Sequence, residues 1–480
     1  MAIDDIQQFI VELEKAGELK RVKSEVDTNL EIAEILRRVS YTKGPAILFE
    51  NVKDYEMPVL GNTFGSIKRL EIGLETSDFS EIGKRIADMT KMEIPSGIFN
   101  KMRKLPELSK MSESFPKLEK SGPVTEIIND SPTFDKIPIL KSWPKDAGKF
   151  ITFGLVSTKH PETGTRNLGV YRIQIIDSTH ALMHWQKHKR GAAHHDITKE
   201  SNDKIDAAII IGGEPATVFS AVAPVPEGLD KYLFAGITRK KGIKTVKCKT
   251  VDLEVPANAE IILEGYVDAA DVRDEGPFGD HTGYYTPKEP FPTFTLTGIM
   301  QRKNPVYLTT VVGKPILEDA YIGKAIERSF LPLIKMLHPE VIDFSMPPAG
   351  WFQGLAIASI KKRYPGQAKK VMMGLWGMGQ LALTKIVIIV DHDINVHDMN
   401  EVIWAVTTRA DAARDTIIID NTPTDTLDPA SPRVNLGSKL GIDATQKTKE
   451  EGFEREIQEM VKVDDNTKKL VDSKWSSYGL

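Results

Sequence analysis

Two carboxylates, Glu275 and Asp280, project from the run Glu275-Gly276-Pro277-Phe278-Gly279-Asp280-His281-Thr282-Gly283-Tyr284-Tyr285. Its glycines and proline suit a tight, defined backbone path. Two acids in one partly desolvated turn tend to separate their pKa values, so that one is protonated while the other is charged. General acid/base catalysis near neutral pH needs that arrangement. The aromatic flanks Phe278, Tyr284 and Tyr285 favour burial. Calcium binding is a rival use, although the acidic oxygens fall short of the roughly six to eight that calcium takes. A plain surface turn is the third reading.

Two other stretches carry reactive residue types. In Asn167-Leu168-Gly169-Val170-Tyr171-Arg172, an extended strand turns Arg172 to the face opposite Asn167 and Gly169, because the separations are odd. The plain alternative is a half-buried strand with one surface arginine. The run His184-Trp185-Gln186-Lys187-His188-Lys189-Arg190-Gly191, followed by His194 and His195, holds four of the ten histidines among basic residues. It fits an anion site for phosphate or carboxylate, a solvated basic loop, or a zinc site on His184 and His188. Zinc lacks an obvious third ligand nearby.

The surrounding pattern is α/β, then β, then α/β. Apolar positions at helical spacing (Ile6, Phe9, Ile10, Leu13; Ile32, Ile35, Leu36; Ile82, Ile86, Met89) alternate with short strands at 46–49 and 58–60. Residues 105–144 carry six prolines and read as an irregular connection. The middle reads as strands at 150–158, 168–176, 181–186, 207–211, 217–221, 245–251 and 261–267, which argues for a barrel or sandwich. From about Pro305, strands at 306–312, 355–360, 385–391 and 416–420 alternate with helices at 321–337, 367–376 and 399–407, and a tail helix is expected at 453–463. The organisation expected is an N-terminal α/β domain (1–110), a central β domain (111–304) and a C-terminal α/β domain with a helical tail (305–480).

Bulk properties exclude several classes. A net charge of −4 gives no field that favours nucleic acid. Cys248, the one cysteine, cannot form an internal disulfide and reads as a packed residue rather than a nucleophile. The start Met1-Ala2-Ile3-Asp4-Asp5 is acidic, unlike a signal peptide, and no apolar run reaches membrane-span length, so a cytoplasmic protein is expected.

Taken in order, these motifs resemble the UbiD family of reversible decarboxylases. The likeness rests most specifically on 167–172, 185–191, 226–236 and 275–285, with further likeness at 402–407 and 421–445. It looks closest to the branch acting on polyprenylated hydroxybenzoates and related quinone precursors; a sister branch decarboxylates a phosphorylated, mevalonate-derived unsaturated acid. The resemblance implies a central split-barrel domain holding prenylated FMN, supplied by a flavin prenyltransferase. It implies a network of Arg172, Glu275 and Asp280, with Arg172 binding the substrate carboxylate and Asp280 donating the proton. It places Val170, Tyr171, Arg172, His184, Trp185, Gln186, Lys189 and Arg190 along the cofactor. It further implies Mn²⁺, possibly with K⁺, held by Asn167, His188 and a glutamate. Lys231 stands at that glutamate's position, and an ammonium cannot ligate a metal while protonated, so Glu227 or Asp230 is the substitute. Homodimers or homohexamers built through the C-terminal domain, and peripheral membrane contact for a lipophilic substrate, are also implied. Two readings compete: a flavin-binding or flavin-supplying split barrel without decarboxylation, and a metal hydrolase on His184 and His188. The first predicts that Glu275→Gln changes nothing, and the second predicts chelator-sensitive hydrolysis without flavin absorbance.

Overall fold

The computed structural model describes residues 3–90, 112–186, 204–225, 229–456 and 458–479. Lys189, Arg190, His188 and Glu227 therefore lie outside the described residues.

At its centre is a six-stranded antiparallel barrel: β1 (Phe150–Lys159), β2 (Arg166–Ile175), β3 (His180–Met183), β4 (Lys204–Ile211), β5 (Ile261–Glu275) and β6 (Glu289–Gln301). The order is β5-β4-β1-β2-β3-β6, and β6 pairs with β5 to close the ring. Closure leaves no open edge along these strands. The apolar alternation of the middle segment thus builds the expected barrel. The Pro-rich connection contributes to it as well: the strand Ile127–Asn129 pairs with β6.

On one side lies a four-stranded sheet of Leu19–Val22, Ala46–Phe49, Val59–Gly61 and Tyr307–Leu308, joined by helices Ile6–Lys15, Glu31–Tyr41 and Ile67–Leu74. The strand expected at 306–312 shrinks to Tyr307–Leu308 and pairs with Val59 and Leu60, in the N-terminal sheet. One continuous apolar core runs from Ile6, Phe9 and Leu48 through Ile151, Ile173 and Ile209, so this sheet and the barrel share an interior.

Beyond the barrel stands a five-stranded mixed sheet of Val341–Ser345, Leu355–Ile360, Ile386–Asp391, Leu436–Ala444 and Thr416–Pro423, in that order. Its central strand is apolar on both faces. Val387 and Ile389 pack with Val371 and Met372 of the helix Gln367–Trp376, while Ile388 and Val390 pack with Val402 and Ala405 of the helix Met399–Arg409. The 20-residue helix Glu318–Leu337 links this sheet to the rest of the molecule, packing on the helix Ser80–Thr90.

Two expectations are corrected, and one strand is added. Residues 217–221 belong to a helix, Pro215–Val222, not a strand: Pro215 occupies its first turn and Thr217 Oγ1 donates to Glu214 Oε2 at 3.0 Å. Every residue from Pro215 to Ala221 is buried, which erases the one-sided pattern that separates helix from strand. The tail helix lies at Asp465–Lys474 rather than 453–463, because Asp464 caps it by accepting from the backbone of Asn466 and Thr467. The strand Leu436–Ala444, which no periodicity announced, inserts between Ile386–Asp391 and Thr416–Pro423. Cys248 agrees with its plain reading: burial pushes its thiol well above the ordinary range.

Candidate active site

The site forms where β3 and β5 end beside Arg172 of β2. Ile173 pairs with Met183, which sets Arg172 beside His184, whose backbone N–H donates to Arg172 O at 3.3 Å. Register breaks in β5 between Asp268 and Val272, and that irregularity turns its last residue, Glu275, toward Arg172. The odd-spacing argument for β2 agrees with the structure. The Tyr171 ring lies over Gly169, where a Cβ would meet it at 2.6 Å, and its hydroxyl is 3.5 Å from Asn167 Nδ2. Arg172 faces the other way.

Arg172 is buried and forked onto Glu275: Nε donates to Oε1 and Nη2 to Oε2, each at 2.8 Å. Its Nη1 donates to Asp280 Oδ2, and Nη2 also reaches Thr286 Oγ1 at 3.1 Å. A guanidinium has five N–H groups; among the described residues these four bonds leave one, on Nη1. The Phe278 ring lies beneath the guanidinium carbon at 4.8 Å.

His184 completes the cluster. Its Nδ1 lies 3.2 Å from Glu275 Oε2, and its ring packs 4.2 Å from that of Phe291. Burial and the charge of Arg172 hold the imidazole below its ordinary pKa, so it is neutral, with Nδ1–H donating to Glu275. Nε2 then presents a buried lone pair that meets no partner among the described residues.

Expectation and geometry part on the two carboxylates, which are both held below their ordinary values. Burial pushes Glu275 up, but the His184 hydrogen bond and Arg172 outweigh it and hold the group down at about 2. Burial likewise raises Asp280, and His281 and Arg172 together draw it below its ordinary value. A cation between two acids lets both ionise, whereas two acids alone would have to share a proton.

The end of the Pro-rich connection and the residues just after it hold the turn in place. Asp146 accepts from the backbone of Ser142 (3.2 Å), Trp143 (2.8 Å) and Gly279 (2.9 Å). Ala147 N–H donates to Pro277 O, and Trp143 Nε1 donates to Val312 O. A Cβ on Gly279 would sit 2.3 Å from the Trp143 indole, so a side chain there has no room. The bond from Gly279 to Asp146 spans 133 residues, and no local pattern could have found it.

The region of the expected metal site is partly visible. Asn167 is buried in β2. Lys231 opens the helix Lys231–Arg239, and its Nζ donates to Ala221 O at 2.8 Å. Asp230 caps that helix and pairs with Arg166 at 3.0 Å, so it is already engaged and is a poor substitute ligand. Among the described residues, no group of three His, Cys, Asp or Glu side chains is placed to hold a metal.

Within the closed barrel a buried guanidinium stands between two carboxylates that are both held in their charged form. The chain matches three successive family models of 3-octaprenyl-4-hydroxybenzoate carboxy-lyase: the N-terminal domain over 10–88, the Rift-related domain over 117–315 and the C-terminal domain over 320–444. It belongs to the UbiD family of carboxy-lyases. An uncharacterized protein of Archaeoglobus fulgidus is 51% identical over 477 residues, 99% of this chain and 98% of that one. Vanillic acid decarboxylase of Sedimentibacter hydroxybenzoicus in its closed form superposes with a TM-score of 0.86 at 27% identity, over 99% and 98% of the two chains. The UbiD-class enzyme HmfF of Pelotomaculum thermopropionicum in complex with FMN gives 0.80 at 28%, over 98% and 99%. An evolved dimeric form of HmfF in complex with prFMN gives 0.77 at 25%, over 97% and 98%.

Proposed function

We propose that the chain catalyses the non-oxidative, reversible decarboxylation of an aromatic or α,β-unsaturated carboxylic acid with prenylated FMN. The observation that carries this reading is Arg172, buried and bonded at once to Glu275 and Asp280. Among acids, we favour a polyprenyl-hydroxybenzoate or related quinone precursor, with a phosphorylated mevalonate-derived unsaturated acid as the second class.

Val170, Tyr171, Arg172, His184, Trp185 and Gln186, with Lys189 and Arg190, would hold the cofactor; the buried, unpartnered Nε2 of His184 fits a polar group of such a ligand. Bound prenylated FMN supplies an electron sink for the charge that develops on carbon as carbon dioxide leaves. The chain's own residues do the rest. The free N–H on Nη1 of Arg172 receives the substrate carboxylate, while the fork to Glu275 fixes the guanidinium plane. Adding a third anion around one guanidinium raises the proton affinity of the carboxylates, so a proton enters with the substrate. Asp280 carries it, because it is bonded to Nη1, beside the position the departing carboxylate vacates. His184 keeps Glu275 ionised and thereby keeps Arg172 in place.

For the metal, Asn167, His188 and Glu227 are the proposed set, and Lys231 makes binding weaker than a glutamate would. The experiment is co-expression with a flavin prenyltransferase, a visible spectrum of the purified protein, and a carbon dioxide release screen. The screen covers hydroxybenzoates, cinnamate-like acids and phosphorylated unsaturated acids. Release from at least one class by cofactor-loaded protein is expected. No release from any class, with cofactor loading verified, overturns the reading.

A further inference from the structure

Decarboxylation of RCOO⁻ to RH and CO₂ consumes one proton per turnover, and Asp280 is only 4% exposed. Its neighbours therefore decide how a proton reaches it. Arg172 stays charged throughout. The backbone contacts of Asp280, from His281 N–H at 2.7 Å and with Tyr284 and Gly283, do not titrate. His281 is different. Its side chain is 30% exposed, and its Nε2 lies 3.7 Å from Asp280 Oδ1. Its Nδ1 bonds Asp319, in the first turn of the helix Glu318–Leu337.

We propose that His281, held by Asp319, is the relay that passes each proton from solvent to Asp280. The inference rests on Asp280 as the proton donor. Nδ1–H stays on Asp319, which fixes the tautomer and aims Nε2–H at Asp280. The proton on Nε2 crosses to Asp280 Oδ1 through one bridging water or a sub-ångström swing of the ring. Asp280 gives it to the substrate carbon, and the partly exposed imidazole takes its replacement from solvent. No electron changes hands, and the one proton consumed is the one that enters.

The charged groups facing His281 among the described residues keep the imidazole loaded with a proton. Asp319 meets it from the helix, Asp280 from its own turn and Asp425 from the loop after Thr416–Pro423, all acidic. Burial works against them, yet the imidazole is raised to about 9 and holds its proton at neutral pH. The Phe352 ring stands edge-on at 5.6 Å and limits how far the imidazole can turn.

The test compares His281→Ala, Asp319→Asn and Asp280→Asn in cofactor-loaded protein, with ¹³C-histidine NMR on cofactor-free protein. For His281→Ala, kcat should fall about tenfold to a hundredfold with KM unchanged, and added imidazole should restore part of the rate. Asp319→Asn, which retains the ring, should shift the alkaline limb of the kcat profile to lower pH. It should also lower the His281 titration midpoint seen by NMR, a readout independent of turnover. A His281→Ala enzyme with the parent's kcat and pH profile overturns the relay, and so does a loss of rate that imidazole cannot rescue. If Asp280→Asn turns over like the parent, Asp280 is not the donor, and that reading fails first.

Discussion

Glu275→Gln changes one atom in the most buried ion pair of the site, and its cost can be worked from the structure. Glu275 ionises near 2 in the folded chain against 4.5 for an unperturbed glutamate. At about 1.4 kcal/mol per pH unit, that difference contributes about 3 kcal/mol to stability at pH 7. Its size agrees with the roughly 3–5 kcal/mol lost when one partner of a buried pair is removed. The folded value is the lower one, so the contribution is fully present above pH 4.5 and fades as pH falls toward 2. Glutamine carries no such dependence. The variant should therefore be less stable than the parent by about 3 kcal/mol at pH 7 but by only about 1 kcal/mol at pH 3. Urea unfolding of both proteins across this range, followed by tryptophan fluorescence, measures the gap. A gap that stays constant with pH would refute the reasoning, because the loss would then come from packing and not from charge. Turnover should fall at least about a hundredfold at every pH, since the amide keeps one acceptor oxygen but turns an NH2 toward Arg172, breaking one arm of its fork and removing the charge of the pair.

Gly279→Ala should lower thermal stability by the equivalent of about 1–3 kcal/mol and depress turnover, because its methyl meets the Trp143 indole; calorimetry and a rate assay check both. Asp146→Asn puts an amide among three backbone N–H donors and should cost a similar amount, with the larger effect on kcat, since the turn bearing Asp280 loses its brace. Lys231→Glu should raise the Mn²⁺ retained after gel filtration of cofactor-loaded protein, as measured by elemental analysis; unchanged retention would place the metal elsewhere.

Much of this architecture could be read from the chain because its determinants are local. Asp5 before Ile6 and Asp398 before Met399 each accept from the first turn of the helix that follows. Strict alternation along β2 placed Arg172 opposite Asn167 without any knowledge of the barrel. What escaped is non-local. Leu436–Ala444 carries two glycines, a lysine and an aspartate, and becomes a strand only because strands on both sides complete its hydrogen bonds. The Asp319–His281 contact spans 38 residues and the Asp146–Gly279 bond spans 133, so neither leaves a trace in any window of sequence. The two carboxylates of the turn were recognised as a pair, but their ionisation depended on Arg172 coming between them. That is a fact of the fold, not of the motif.

The account stands on Asp280 as the group that delivers the proton to carbon. Decarboxylation by cofactor-loaded protein in deuterated water, with product analysed by NMR, tests this most directly. The parent should place one deuterium at the carbon that bore the carboxylate, and Asp280→Asn should form that product at less than about one hundredth of the parent rate. Deuterated product from Asp280→Asn at the parent's rate would contradict the account.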